Sequence, residues 1–303
     1  MIPLERDIAD LIRVSGPLTG REIKERVEGE SLALWQACRS SDALEVRTLG
    51  VRYLRLDHHV DGYARLSPSI LREFLTYTVV GLAGDPDSIG KRAGDVVARM
   101  DGISRTKLDL ARRFVDGIRN QFETVWADEQ VCFIIAGDIV HQMAHDHPRP
   151  ERSTGKLVRG SDIDLVVILA DEVGEDFTTS LDEAIHRGKY RTLIAPWVNE
   201  EIDYVVKRME RVREQLLFDT FKHMVACKIL REGMLLSGSR SIFDTIKTQL
   251  RETGVVDRLN DLETQARAAR KRAEEYLLCG VPERIARADL LLFYSTEESD
   301  EFE

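Results

Sequence analysis

Arg159-Gly160-Ser161-Asp162-Ile163-Asp164-Leu165-Val166-Val167-Ile168 is the stretch on which the reading of this chain turns. From Ile163 to Leu169 it is apolar and rich in β-branched residues, which predicts a strand. Alternate residues of a strand share a face and lie about 6.5–7 Å apart. Asp162 and Asp164 therefore project together, while Ile163 and Leu165 enter the opposite layer. Two ionised carboxylates side by side on an apolar strand are costly unless a cation offsets them. A pair of Mg²⁺ ions roughly 3.5–4 Å apart would do so. An Asp at the start of a strand, taken alone, is often no more than a turn residue.

The surroundings sharpen the signal. Val131–Ala136 is continuously apolar, as a strand buried on both faces would be, and it stops at Gly137. A short helix is expected from Asp138 to His145, followed by a Pro/Gly/Arg-rich loop over 147–160. Asp182–Arg187 reads as part of a helix, and Glu201–Lys207 as a third strand with an acid, Asp203, near its start. If that strand lies beside the first, Asp203 completes a cluster of three carboxylates. Upstream, Leu110, Phe114, Ile118, Phe122 and Val125 recur at three to four residues and predict an amphipathic helix over Ser104–Trp126. Beyond Glu210 the pattern is helical to Phe293, with breaks near Gly238, Gly254 and Gly280.

The apolar strand ending in Gly137, the Asp162-Ile163-Asp164 strand and the later Asp203 together resemble the DNA polymerase beta-like nucleotidyltransferase superfamily. Small antitoxin nucleotidyltransferases and aminoglycoside nucleotidyltransferases share that pattern. The resemblance covers about residues 105–240, including the helical Cys227-Lys228-Ile229-Leu230-Arg231-Glu232-Gly233 stretch. It implies that Asp162 and Asp164 hold Mg²⁺ or Mn²⁺ with the triphosphate of an NTP, ATP in the first place. It also implies that Asp203 binds the catalytic metal and helps deprotonate an acceptor hydroxyl. Nucleotide contacts are implied for Gly137, Asp138, Ser161 and Lys228. The chain departs from the pattern twice: Asp138 stands where Ser or Gly is usual, and the spacing from Gly137 to Asp162 is long. An Asp there would repel phosphate at a helix N-terminus or serve as a plain N-cap. Arg149, Arg152, Lys156 and Arg159 in the insert either restore positive charge or form a solvated surface.

Lesser signals carry bland alternatives. His141 and His145, with His147 nearby, have the i, i+4 spacing of a transition-metal pair or of histidines at a cleft rim. Lys228 is a phosphate contact or an ordinary helix lysine. Trp197 stacks on a base or packs in the core.

Residues 1–80 read as a winged helix-turn-helix. Ile8, Leu11 and Ile12 mark a first helix that stops near Gly16-Pro17. Thr19 and Glu22 form a capping-box pattern for a second helix through Val27. Ser31–Arg39 is a third, and the alternating runs 43–48 and 51–56 around Leu49-Gly50 predict a hairpin. Gln36, Arg39, Arg47, Arg52 and Arg55 are the candidate DNA contacts. The module holds 11 Lys+Arg against 12 Asp+Glu, a balance that weakens DNA binding and leaves a protein-contact or dimerisation role open.

The whole 303-residue chain has a net charge of −10, which argues against a general nucleic-acid-coating protein. Cys38, Cys132, Cys227 and Cys279 include no Cys-x-x-Cys pair, as expected of reduced thiols in the cytoplasm. Neither a signal peptide nor an apolar run of membrane-spanning length is evident. The expected architecture is α+β: a winged helix over 1–82, a nucleotidyltransferase mixed-sheet core over 83–209, a helical region over 210–295 and an acidic tail over 296–303. The expected function is transfer of a nucleoside monophosphate from an NTP to protein, RNA or a small molecule, with no membrane partner and a homodimer compatible. The alternative is a DNA-binding regulator whose nucleotidyltransferase domain binds nucleotide without turnover.

Overall fold

The computed structural model describes residues 3–122, 126, 128–151, 154–286 and 289–294. Val125, Arg152 and the 296–303 tail lie outside them. The protein is α+β and divides into two compact units, Met1–Arg99 with Leu262–Glu303, and Met100–Asp261. The expected helical region over 210–295 is thus shared out: residues to 261 belong with the strands, and the rest folds with the N-terminal residues. Among the described residues no helix is long and apolar enough to cross a membrane.

The first unit opens with α1 (Pro3–Ser15), β1 (Leu18–Thr19), α2 (Gly20–Arg26), α3 (Ser31–Ser40) and β2 (Leu44–Thr48). The capping box forms as expected: Thr19 Oγ1 accepts from the Glu22 amide, and the Glu22 carboxylate accepts from the Thr19 amide at 2.7 Å. The chain continues through β3 (Tyr53–Leu56), β4 (Ala64–Ser67), α4 (Ile70–Tyr77), β5 (Thr78–Leu82) and the long α5 (Pro86–Arg119).

The hairpin expected between 43–48 and 51–56 does not form. β2 pairs with β5, Val46 opposite Val80, and β3 pairs with β4, Leu54 opposite Leu66. Leu49 explains the difference. Its amide donates to the Tyr77 carbonyl at 2.7 Å, and its side chain packs with Val79, Ile89 and Ala93. It therefore prolongs the contact with β5 where a hairpin turn was expected.

Several presumed DNA contacts are occupied within this unit. Gln36 donates to the backbone carbonyls of Leu277 and Gly280, at the end of the helix Val255–Cys279. Arg52 makes a two-pronged pair with Glu73 at 2.5 and 2.6 Å and reaches Glu274 at 2.9 Å. Arg270, 7% exposed, meets Glu73 at 3.3 Å, Glu274 at 2.8 Å and the Pro68 carbonyl at 2.8 Å. Arg47 pairs with Glu45 at 3.0 Å.

In the second unit β6 (Val131–Ala136) ends in a 3-10 turn, Gly137–Ile139. The insert forms a small ribbon of β7 (Pro148–Pro150) and β8 (Leu157–Arg159). Then come β9 (Ile163–Leu169), α6 (Glu175–Ile194), β10 (Ile202–Arg208), α7 (Met209–Gln215), α8 (Phe221–Glu232), β11 (Met234–Gly238) and α9 (Arg240–Glu252). The sheet order is β10-β9-β6-β11, with β10 parallel to β9 and the other pairs antiparallel. Every residue of β6 is buried, as its unbroken apolar run requires. Val115 and Ile118 of α5 and Leu181, Ala184 and Ile185 of α6 cover Phe133, Val167 and Leu169. β11 was not expected. Five residues, Met-Leu-Leu-Ser-Gly, are too few for periodicity to separate strand from helix, and pairing with β6 decides the matter.

Glu73 compensates two arginines while only 7% exposed. Removing one member of a buried ionic group typically costs about 3–5 kcal/mol. Glu73→Ala should therefore lower unfolding stability by that order in chemical denaturation; a loss within measurement error would mean that solvent screens the cluster.

Candidate functional site

Strand register brings the three aspartates together. Asp164 lies directly opposite Asp203 across the parallel β9–β10 pair and opposite Ala136 on the antiparallel side. Asp162, two residues ahead, shares the Asp164 face. Gly137 follows Ala136 with φ +73°. A Cβ built there would stand 2.2 Å from Asp164 Oδ2. Gly137 is thus required twice, for a backbone conformation that L side chains resist and for the close approach of a carboxylate.

Cations from separate elements surround the acids. Lys189 of α6 pairs with Asp203 Oδ1 at 2.6 Å. Arg149 of the insert lies 2.8 Å from Glu201 and 3.8 Å from Asp162, and donates to the Gly160 carbonyl at 2.7 Å. Lys228 of α8 pairs with Glu232 at 2.7 Å. Asp164, partly buried, has its pKa raised well above the ordinary carboxylate value. Burial is the largest cause, followed by the charges of Asp162, Asp203 and Asp138; Lys228 acts in the opposite direction.

Lys107 of α5 was missed by the sequence reading. It is 2% exposed, pairs with Glu200 and donates to the Arg159 carbonyl at 2.7 Å. Arg159 and Glu200 each stand three residues ahead of an acid of the site, so one ammonium ties together the leads into both strands. Burial lowers the Lys107 pKa, with Glu200 opposing, and raises that of Glu200, with Lys107 opposing. The available signal was a lysine on the apolar stripe Met100, Ser104, Lys107, Ala111, Val115 and Ile118, all of them buried. Glu200, Glu201 and Lys189 carried no sequence signal of their own, because their partners are distant in the chain.

Other expectations need correction. The helix over 138–145 is only the Gly137–Ile139 turn, and Gln142, at φ +57°, breaks any helical continuation. There is accordingly no helix N-terminus at Asp138, and His141 and His145 do not share a helix face. His141 Nε2 lies 3.2 Å from Glu232. His145 is buried, its carbonyl accepting from the Ser161 amide at 3.0 Å and its ring 5.6 Å from that of His147. Ser161 is buried, and its hydroxyl donates to Asp138 Oδ2 at 2.7 Å and accepts from the His145 amide. Trp197 is 80% exposed, which excludes core packing. Lys156 and Arg159 are exposed, while Arg149 is committed to the acids.

Among the described residues no group of three or more His, Cys, Asp or Glu is placed to hold a metal ion as it stands. The donor set still has the chemistry of a hard-cation site. Only carboxylates crowd Asp164, and their mutual repulsion is what a bound divalent cation would relieve. No protein-family model, curated protein or solved structure matches the chain.

The raised pKa of Asp164 has a sign that can be tested. The folded protein holds this proton to higher pH than the unfolded chain does. Its contribution is therefore fully present below the ordinary carboxylate value and is lost as pH rises through the folded-state value. In chelator at neutral pH, Asp164→Asn should raise the melting temperature, and the gap should narrow toward acid pH. Equal melting curves at both pH values would contradict the crowding.

Proposed function

We propose that the chain is a Mg²⁺- or Mn²⁺-dependent nucleotidyltransferase. It would move a nucleoside monophosphate from an NTP, ATP in the first place, to a hydroxyl of a protein, RNA or small-molecule acceptor. The observation that carries this reading is Asp164 in register with Asp203, with Asp162 on the same face and Gly137 open beside them. Asp162, Asp164 and Asp203 would hold the metal, which supplies charge neutralisation on the phosphate oxygens when bound. The acceptor oxygen bonds to the α-phosphorus, the bond from that phosphorus to the bridging oxygen of the β-phosphate breaks, and pyrophosphate leaves. Asp203, half-exposed, is placed to take the acceptor proton, and Lys189 keeps its carboxylate ionised until then. Lys228, whose charge Asp164 already feels, would face the triphosphate. Thiols at all four cysteines accord with a cytoplasmic location.

A second reading, nucleotide binding without turnover, is favoured by Asp138, whose charge adds to that around Asp164. Its DNA-binding component is weakened by the internal engagement of Gln36 and Arg52.

Incubation with each labelled NTP and Mg²⁺ should release pyrophosphate. Asp162→Asn should abolish Mg²⁺-dependent nucleotide binding in calorimetry, whereas Asp203→Ala should keep binding and lose turnover. Wild-type pyrophosphate release by both variants would dispose of the site.

Asp138→Ser bears on the second reading. Two like charges about 4 Å apart repel by roughly 4 kcal/mol at an effective dielectric of 20. Removing the carboxylate should tighten NTP binding at saturating Mg²⁺. An unchanged or weaker dissociation constant would mean that Asp138 does not restrain the nucleotide.

A further inference from the structure

A pocket of about 210 Å³ adjoins the carboxylates along the chain and is not used by the chemistry above. Leu108, Ile139, Val140 and Met234 form its apolar walls, and Arg105 and Gln142 stand among its polar lining. Its volume is below the roughly 300–1,000 Å³ of sites that enclose a whole drug-sized ligand. It suits one ring system, with the remainder of the ligand outside.

Its connections indicate where that remainder lies. The turn that supplies Ile139 and Val140 to the pocket begins at Gly137, against Asp164, and carries Asp138. The next residue, His141, lies 3.2 Å from Glu232, which in turn pairs with Lys228 at 2.7 Å. Lys228 acts electrostatically on Asp164, and Met234 of the pocket wall is two residues beyond Glu232. Pocket and carboxylates are thus joined by two routes, the 137–142 turn and the His141–Glu232–Lys228 chain. A ligand using both ends has an anionic, cation-binding portion and a flat, largely apolar portion. Nucleoside triphosphates have that build.

We propose that this pocket receives the nucleobase of the NTP, its ring between the Leu108 and Met234 walls and its polar edge toward Arg105 and Gln142. The proposal rests on the nucleotidyltransferase reading and extends it by assigning the base end of the substrate. Met234 is 41% exposed, so a larger side chain there fills the mouth of the pocket without entering the core.

The test compares Mg²⁺-dependent binding of the four NTPs and of inorganic tripolyphosphate, which lacks a base, by calorimetry. The intact protein should bind its best NTP at least about tenfold more tightly than tripolyphosphate, the lower end of what an apolar contact contributes to discrimination. Met234→Trp should erase that advantage and leave tripolyphosphate binding unchanged. Met234→Ser, which removes a wall and fills nothing, should reduce the advantage and serves if the Trp variant melts early. Equal binding of tripolyphosphate and every NTP by the intact protein, or an advantage that survives both substitutions, overturns the base pocket while the carboxylate site stands. Binding of neither ligand class overturns both.

Discussion

Repulsion among Asp162, Asp164 and Asp203 is the constraint to which the strand-bearing unit is arranged. The register of two parallel strands makes Asp164 and Asp203 direct neighbours, an arrangement that opposes folding unless something else demands it. Apolar packing makes the demand. β9 is buried from Leu165 to Leu169, and a slip of one residue would turn each of those side chains to the other face. The core thus holds the acids in a place they would otherwise leave. The site answers with cations drawn from α6, the insert and α8, namely Lys189, Arg149 and Lys228.

A second layer secures the positions from which the acids project. Lys107 ties the Arg159 carbonyl to the Glu200 carboxylate from within the core. A buried ion pair is a poor source of net stability, because desolvation offsets most of its attraction. What it supplies here is geometry: it relates the leads into β9 and β10 to one point. The open backbone at Gly137 completes the frame, since any side chain there would displace the Asp164 carboxylate.

In the other unit, charge is consumed by the fold. Arg52, Arg270, Glu73 and Glu274 satisfy one another and join α4 to the helix Val255–Cys279. Gln36, on the helix that would read bases in a DNA-binding module, is spent on the carbonyls at the end of that same helix. The near balance of basic and acidic residues in this segment is therefore informative: its arginines have acidic partners at home.

The sequence by itself determined the local features. The apolar runs of β6 and β9, the alternation that puts Asp162 and Asp164 on one face, and the Thr19–Glu22 capping box each depend on residues a few positions apart. It could not determine pairings between distant segments. β2 joins β5 and not β3, β11 is a strand because β6 offers it an edge, and the 138–145 helix yields to a turn broken at Gln142. The same limit hid Lys107, Glu200 and Lys189, whose partners lie 93 and 14 residues away. Only the tertiary structure decided which charges meet, because Coulomb attraction and desolvation depend on distance in space, and a linear sequence does not contain that distance.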